Sequence, residues 1–191
     1  MYYVFDRNCK GRWIDQPRGD IPGIKWSSWR KGAVLTSPPP NPLKFALKPC
    51  SPHAWDHSPY LPSFLDASAP IFRDDLIEAL EECGVDNLET YNTEITDPDN
   101  GAVYSNYKVV NIIGLISAAD IQKSDAIVHG SDIYDVDFDS LVIDPSKAGG
   151  KYFFRLAEST NALIVHDKVR QHLLAKGFTD LAFYPSGKAA L

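Results

Sequence analysis

Cysteine and histidine lie close together at one point of the sequence, where Cys50, His53 and His57 follow one another with Asp56 alongside. Thiolate and neutral imidazole are zinc ligands in proteins, so these residues are a candidate site for a metal-dependent hydrolase. Both histidines share a face only in a helix, and the flanking prolines limit any helix here to about one turn. No fourth ligand is apparent. Histidines in an ordered loop are the simpler interpretation, and we expect no metal or other cofactor.

A second candidate is Asp135-Val-Asp-Phe-Asp139, which resembles the opening of a calcium-binding loop. An EF-hand needs glycine at its sixth position and glutamate at its twelfth, where this sequence has Ser140 and Ser146. The aspartates alternate with apolar residues, which indicates a strand with one wet, acidic face.

Two further residues could take part in nucleophilic or acid–base chemistry. Cys83 falls late in a predicted helix, where burial and nearby carboxylates would raise the pKa of its thiol and lower its reactivity. His166 precedes Asp167 at a predicted helix start, where we expect it to cap the helix. The sequence has no Gly-rich phosphate loop and no Gly-x-Ser-x-Gly elbow. We therefore predict that the protein is not an enzyme.

Acidic residues cluster in two segments, which form either two solvated faces or a negative surface that attracts a basic protein. The clusters are Asp132, Asp135, Asp137, Asp139 and Asp144, and Glu78, Glu81, Glu82, Asp86 and Glu89. On the second interpretation we expect four residues to contribute to partner binding: Asp132, Asp135, Asp137 and Asp139.

Charge and composition narrow the classes of partner. A net charge of −6 argues against nucleic-acid binding and favours a basic protein partner. The sequence has no apolar run long enough to span a membrane and does not begin like a signal peptide. Three cysteines fit reduced thiols in a cytoplasmic protein. We expect residues 1–191 to form a single domain; the oligomeric state stays open.

The elements that must position these residues include an internal repeat. Residues 71–91 align without a gap on residues 164–184. The shared apolar spacing predicts helices from about Pro70 to Cys83 and from Ala162 to Lys176. A glycine stands just past each helix, where a left-handed residue ends it, and a strand follows each glycine.

The other elements complete an α+β fold with a mainly antiparallel sheet, six or seven strands and three helices. Residues 8–62 hold all four tryptophans and most of the prolines, which predicts ordered loop and edge structure packed on a core at 70–185. Further predicted elements are strands at Tyr2–Phe5, Leu43–Lys48, Tyr104–Ile116, Ile133–Ile143 and Lys151–Ala157, and a short helix beginning at Ser117-Ala-Ala-Asp120.

Several segments together resemble one family. They are Tyr107-Lys-Val-Val-Asn-Ile112, Leu115–Ser124, Phe153-Phe-Arg-Leu156, Leu163–Gly177 and Leu181-Ala-Phe-Tyr184. Their order and residues resemble an immunity protein family of the bacterial polymorphic toxin systems, first described from a myxobacterial representative and formerly a domain of unknown function. The resemblance covers roughly residues 70–185.

The resemblance implies a cytoplasmic, non-enzymatic protein that binds and blocks a cognate toxin. No catalytic residue carries over from the family. Asp120, Ser124 and Arg155 match its polar signature, and we interpret them as structural hydrogen-bonding groups. Two alternatives remain: a metal-dependent hydrolase using Cys50, His53 and His57, or an accessory module that binds a partner without inhibiting it.

Overall fold

A computed structural model describes residues 1–8, 11–15, 25–50, 60–129 and 136–191. These residues form two α-helices, α1 (Asp74–Glu82) and α2 (Asp167–Ala175), and a 3-10 helix at Trp26–Arg30. The strands in the same residues are β1 (Tyr2–Arg7), β2 (Ile14–Asp15), β3 (Leu43–Leu47), β4 (Phe64–Asp66), β5 (Pro70–Arg73), β6 (Leu88–Thr96), β7 (Val103–Tyr104), β8 (Tyr107–Ile112), β9 (Leu115–Ile116), β10 (Asp125–Val128), β11 (Val136–Ser140), β12 (Phe153–Leu156), β13 (Leu163–His166) and β14 (Leu181–Pro185). Within the described ranges, neither helix has the length and apolar character needed to span a bilayer.

The strands form three sheets. One has five strands in the order β14-β1-β13-β12-β9, and a second has the order β2-β3-β6-β8-β5-β4 with β7 added against β6. The third is the hairpin β10–β11. Strand pairs are antiparallel except β3–β6 and β9–β12, which are parallel. This confirms the predicted α+β class with mainly antiparallel sheet.

The internal repeat is a strand–helix–strand unit present twice. The bounds of β5 and α1 recur 93 residues later as those of β13 and α2. In each unit the two strands lie on either side of a third strand that is antiparallel to both, β8 in the first unit and β1 in the second. Gly84 and Gly177 follow the helices with φ of 94° and 87°, the left-handed conformation that the sequence predicted.

The predicted starts of the two helices were wrong by four to five residues. Pro70–Arg73 and Leu163–His166 are strands, and the helices begin at Asp74 and Asp167. Ile71 and Phe72 are both fully buried, and they belong to core clusters on opposite sides of the sheet. In a helix, consecutive side chains point only about 100° apart and could not enter clusters on opposite sides of the sheet. In a strand, consecutive side chains point to opposite faces, and both faces of β5 are buried. Pro70 is tolerated because it is the first residue of its strand.

The short helix predicted from Ser117 is also absent among the described residues, where 121–123 form a turn before β10. The Ser117 hydroxyl donates to Glu158 Oε1 at 2.5 Å instead of capping a helix. The Asp120 carboxylate accepts from Lys123 Nζ at 2.7 Å and from Lys123 N at 3.3 Å. These bonds close a local turn and leave the next residues free to enter a strand.

Three clusters of buried side chains hold the sheets together. The largest takes residues from both large sheets and both helices, including Phe5, Phe72, Leu76, Phe153 and Leu173. A second lies on the other face of the five-stranded sheet and includes side chains of β11. The third lies on the other face of the seven-stranded sheet.

The described part of the Trp/Pro-rich region contains the short strands β2 and β3 and contributes side chains to the third cluster. Trp29 is completely buried in the third cluster, and its ring lies edge-on to Tyr91 of β6 with centroids 5.7 Å apart. Strand β3 pairs with β6, close to the predicted Leu43–Lys48. The guanidinium carbon of Arg7 lies 3.3 Å from the centroid of the Trp13 ring.

His166 makes part of the stability of this fold dependent on pH. Its Nδ1 accepts from Lys168 N at 3.2 Å and so caps α2, as predicted. Burial, with the nearby N-terminal amine, lowers the pKa of His166 below its usual value of about 6.5. The folded protein therefore prefers the neutral ring. Neutral His166 therefore contributes to the free energy of unfolding above a pH of about 6.5. This contribution is lost as the pH falls through that value toward the pKa of His166 in the folded protein.

Thermal unfolding of the protein at pH values of about 8 and 5 should therefore differ less in His166→Asn than in the wild type. Asparagine keeps an oxygen that can cap the helix but does not titrate, and a cap contributes about 0.5–2 kcal/mol. Because the same carboxylates titrate in both proteins, their contribution cancels in the comparison. Equal losses of Tm in the two proteins would contradict the role given to His166.

Candidate functional site

The hairpin β10–β11 carries the acidic residues that the sequence singled out. Val136 and Phe138 point into the second core cluster, so Asp137 and Asp139 face outward and are exposed. This confirms the predicted alternation for the part of the strand that the structure describes. Asp132 and Asp135 lie outside the described residues.

Strand β10 adds an apolar residue to the same face. Ile127 pairs directly with Asp137 across the ladder, and the side chain of Ile127 is 59% exposed. Cross-strand partners project to the same side of a sheet. Ile127, Asp137 and Asp139 together are therefore called the acidic hairpin face.

The two edges of the hairpin differ. The outer edge of β11 is covered, since Phe138 N donates to Leu191 O at 3.0 Å and Leu191 N donates to Phe138 O at 2.8 Å. Strand β10 pairs with β11 and with no second strand in the described part of the chain. An open strand edge is able to pair with a strand of another protein.

One ion pair lies beside this face. His129 Nε2 is 2.7 Å from an Asp137 carboxylate oxygen, and both side chains are largely exposed. Within the described ranges, Asp139 forms no ion pair, so its charge acts on solvent and on any approaching partner. An exposed pair contributes little to stability, which leaves Asp137 able to exchange partners.

The second acidic cluster is divided by the fold. Glu78 and Glu81 project from α1 into solvent and form no ion pair within the described residues. Glu82 is paired with Lys176, and His172 Nε2 lies 3.2 Å from its carboxylate. The hydrogen bond from Lys176 lowers the pKa of Glu82. Glu89 is half-buried and accepts from Asn111 Nδ2 at 2.9 Å, so it belongs to the interior rather than to an acidic face.

All three residues of the expected polar signature form hydrogen bonds within the fold, and two of them lie together. Ser124 Oγ donates to Asp120 O at 2.8 Å and accepts from Val142 N at 2.9 Å, which ties the turn before β10 to the segment after β11. Asp120 N donates to Val142 O at 2.8 Å. Arg155 is separate from these residues: it is buried, and its Nη1 donates to Thr160 O at 2.5 Å.

Strand β10 is a part of this site that was not predicted. β10 is not among the strands predicted above, although Ala126-Ile-Val128 contains the β-branched residues typical of strands. This signal could have identified the strand, but not its pairing with β11.

The metal hypothesis rests on residues that are only partly described. Cys50 is exposed, and its backbone N donates to Asp99 Oδ2 at 3.0 Å. Desolvation and a hydrogen bond to Asp99 raise the pKa of its thiol. His53, Asp56 and His57 lie outside the described residues. Elsewhere in the described chain, no three His, Cys, Asp or Glu side chains are placed to hold a metal ion.

Cys83 follows the prediction made for it. Its side chain is buried at the end of α1, and desolvation raises the pKa of the thiol. A thiol held protonated in this way is a poor nucleophile.

Comparison with known proteins identifies a match over most of the chain. A family model described as "Immunity protein family (Imm11)" matches residues 67–188. The matched segment contains both strand–helix–strand units and the acidic hairpin face. It leaves out residues 1–66 and therefore β1, which lies between β13 and β14 of the second unit. No curated protein matches the chain.

Proposed function

Because the chain belongs to the Imm11 immunity protein family, we propose that it binds a cognate bacterial toxin in the cytoplasm and neutralises it. The family match over residues 67–188 is the observation that carries this proposal. Neutralisation is by occlusion: the bound protein covers the toxin surface that would otherwise meet its target, and it catalyses no reaction.

The acidic hairpin face is the proposed docking surface, and the partner presents a basic surface to it. Asp137 and Asp139 supply negative charge that attracts a basic partner over a distance of about one Debye length. Ile127 supplies apolar area beside Asp137, and the open edge of β10 offers backbone donors and acceptors. The net charge of −6 also favours the approach of a basic partner.

Co-expression tests the proposal directly. The protein is produced together with the toxin-like product of the neighbouring gene, with growth and complex formation as readouts. We expect growth to be restored and the two chains to co-purify. A complex that leaves the toxin active would instead identify a non-inhibitory accessory module, and absence of a complex with persisting toxicity would refute the proposal.

Charge reversal tests the docking surface. In Asp137→Lys/Asp139→Lys the association rate with the toxin should fall at least about tenfold at low salt, because attraction is replaced by repulsion. The salt dependence of that rate should flatten. Stopped-flow or surface plasmon resonance at two salt concentrations measures both effects.

The matched control reverses two charges on α1. Glu78→Lys/Glu81→Lys changes the net charge by the same amount on another exposed face. Its smaller effect would separate local docking from the general influence of net charge. Unchanged association of the Asp137/Asp139 variant at low salt, or a larger loss in the α1 variant, would remove the hairpin from the interface.

A further inference from the structure

The backbone bonds of β11 fix which groups of β10 face the open edge. Phe138 of β11 bonds to Leu191 through both its N–H and its C=O, on the side of the strand away from β10. Consecutive residues of a strand direct their backbone groups to opposite sides, so the groups of Asp137 point toward β10. Asp137 pairs with Ile127. The N–H and C=O of Ile127 therefore face β11 and not the open edge.

The two neighbours of Ile127 supply the groups on the open edge. By the same alternation, the N–H and C=O of Ala126 and of Val128 point away from β11. These groups have no hydrogen-bond partner among the described residues. The two residues stand two positions apart, which is the spacing at which an antiparallel strand forms hydrogen-bonded pairs. The edge is therefore able to accept one more strand.

The side chains of β10 alternate in the way that such pairing requires. Asp125 and Ile127 are exposed and project to one face, the face that carries Asp137 across the ladder. Ala126 packs against the second core cluster on the other side, which holds β10 in one register. Asp125 forms no ion pair within the described ranges. A side chain placed opposite Ile127 would therefore meet an apolar residue with a carboxylate along the strand and another across it.

The free edge of the five-stranded sheet is less suited to pairing. Its last strand is β14, and Asn8 N donates to Asp180 O beside the β1–β14 pair. Alternation from Asp180 places the backbone groups of Phe183 and Pro185 on the outer side of β14. Proline has no N–H to donate, and natural proteins use it to keep strand edges from pairing. Strand β10 contains no proline.

Charge distinguishes the possible occupants of the β10 edge. A second copy of this chain carries the same net charge of −6, and pairing β10 with β10 would bring two acidic hairpin faces onto one side of a continuous sheet. Like charges brought together in an interface reduce affinity. A strand with Lys or Arg at alternate positions would instead place cations beside Asp125 and Asp137. The edge therefore fits a basic partner better than a second copy.

We propose that the toxin adds a strand to β10, antiparallel to it, so that β10 becomes the central strand of three. The added strand bonds to the backbone of Ala126 and Val128. Its residue opposite Ile127 is apolar, and a Lys or Arg two positions away lies opposite Asp125. This mode of binding rests on the proposed function, since the partner is the toxin, and it specifies which backbone groups hold that partner.

Hydrogen exchange followed by NMR tests the added strand without any substitution. The complex is that of the wild-type protein with the toxin-like product of the neighbouring gene. Exchange of the Ala126 and Val128 amides should slow at least about tenfold in the complex, because each N–H becomes a donor in a strand pair. The Phe183 amide, on the outer side of β14, is the control and should exchange as in the free protein.

The outcomes separate the mode of binding from the proposed function. A neutralising complex in which the Ala126 and Val128 amides exchange as in the free protein would overturn the added strand and leave the proposed function intact. Absence of a complex would overturn both. Dimers of the free protein in sedimentation, with slowed exchange of the same two amides, would assign the edge to a second copy and overturn the proposal.

Substitution of Val128 distinguishes backbone pairing from side-chain contact. Val128→Pro removes one outward N–H and no bond of the hairpin, because Val128 is the last residue of β10. A Val128→Pro protein with the circular dichroism of the wild type should bind the toxin at least about tenfold more weakly. The matched control Val128→Ala keeps the N–H and should lose less than about threefold. Equal losses in the two variants would show that the side chain, and not the backbone, contacts the toxin, and would overturn the proposal.

Discussion

Replacing Arg12 with alanine should lower the free energy of unfolding by about 3–5 kcal/mol, because it leaves a buried carboxylate without its cation. Arg12 Nη1 lies 3.2 Å from Asp97 Oδ2, and Nη2 lies 3.1 Å from Oδ1, which makes the pair bidentate. The Arg12 and Asp97 side chains are 7% and 3% exposed. Nη2 also donates to Lys48 O at 3.0 Å. One guanidinium therefore joins residues 11–15, the end of β3 and the turn after β6.

Denaturation in urea, followed by far-UV circular dichroism, measures this loss. The control is Lys44→Ala, which removes an exposed partner 3.9 Å from Glu94 and should change stability by less than about 1 kcal/mol. In Arg12→Ala/Asp97→Ala the loss should be smaller than the sum of the two single losses, because the buried Asp97 carboxylate is no longer left without its cation. Asp99, whose Oδ2 lies 2.8 Å from Arg12 Nη2, loses the same cation in both Arg12 variants, but its side chain is 35% exposed and is solvated by water. A loss below about 1 kcal/mol for Arg12→Ala would show that water replaces the guanidinium without difficulty.

This ion pair also marks a limit of the sequence analysis. Local chemistry indicates a turn at Asp97-Pro-Asp-Asn-Gly101, where Gly101 N donates to Asp97 O at 2.8 Å. It could not predict that Arg12 would supply the cation, since the two residues are 85 positions apart. Long-range partners depend on which strands meet, and a single sequence carries little information about that.

The repeat was the most informative feature of the sequence, because it combines several independent signals at a fixed spacing. Its glycines and the strands after them were predicted correctly, since glycine with positive φ is a local requirement. The first four residues of each unit were assigned to helices, because Phe72 and Val165 extend the helical apolar spacing. Burial on both faces of the sheet, which is a tertiary property, decided in favour of strands.

The acidic hairpin face was likewise predictable only in part. Alternation of aspartates with apolar residues predicted the outward direction of Asp137 and Asp139, because one strand face must be wet if the other is buried. The presence of Ile127 beside them required the pairing of β10 with β11.

Packing of the two large sheets depends on a group of phenylalanines, and Phe72→Ala should remove about 3–5 kcal/mol of stability. Phe72 of β5 is completely buried, and its ring lies edge-on to Phe64 with centroids 4.9 Å apart. It also contacts the five-stranded sheet, with centroid distances of 6.0 Å to Phe5 and 6.4 Å to Phe153. A cavity at this position would therefore weaken the contact between the sheets as well as the packing within one of them.

Chemical denaturation of Phe72→Ala, Phe72→Leu and Phe183→Ala separates these contributions. Leucine retains most of the buried volume and should cost less than half as much as alanine. Phe183 of β14 is only partly buried and lies 5.7 Å from Phe5, so its truncation should cost about 1–2 kcal/mol. Because total stability of a domain is about 5–15 kcal/mol, the loss at Phe72 would unfold a large fraction of a marginally stable protein. Equal losses at Phe72 and Phe183 would show that the phenylalanine group does not join the sheets.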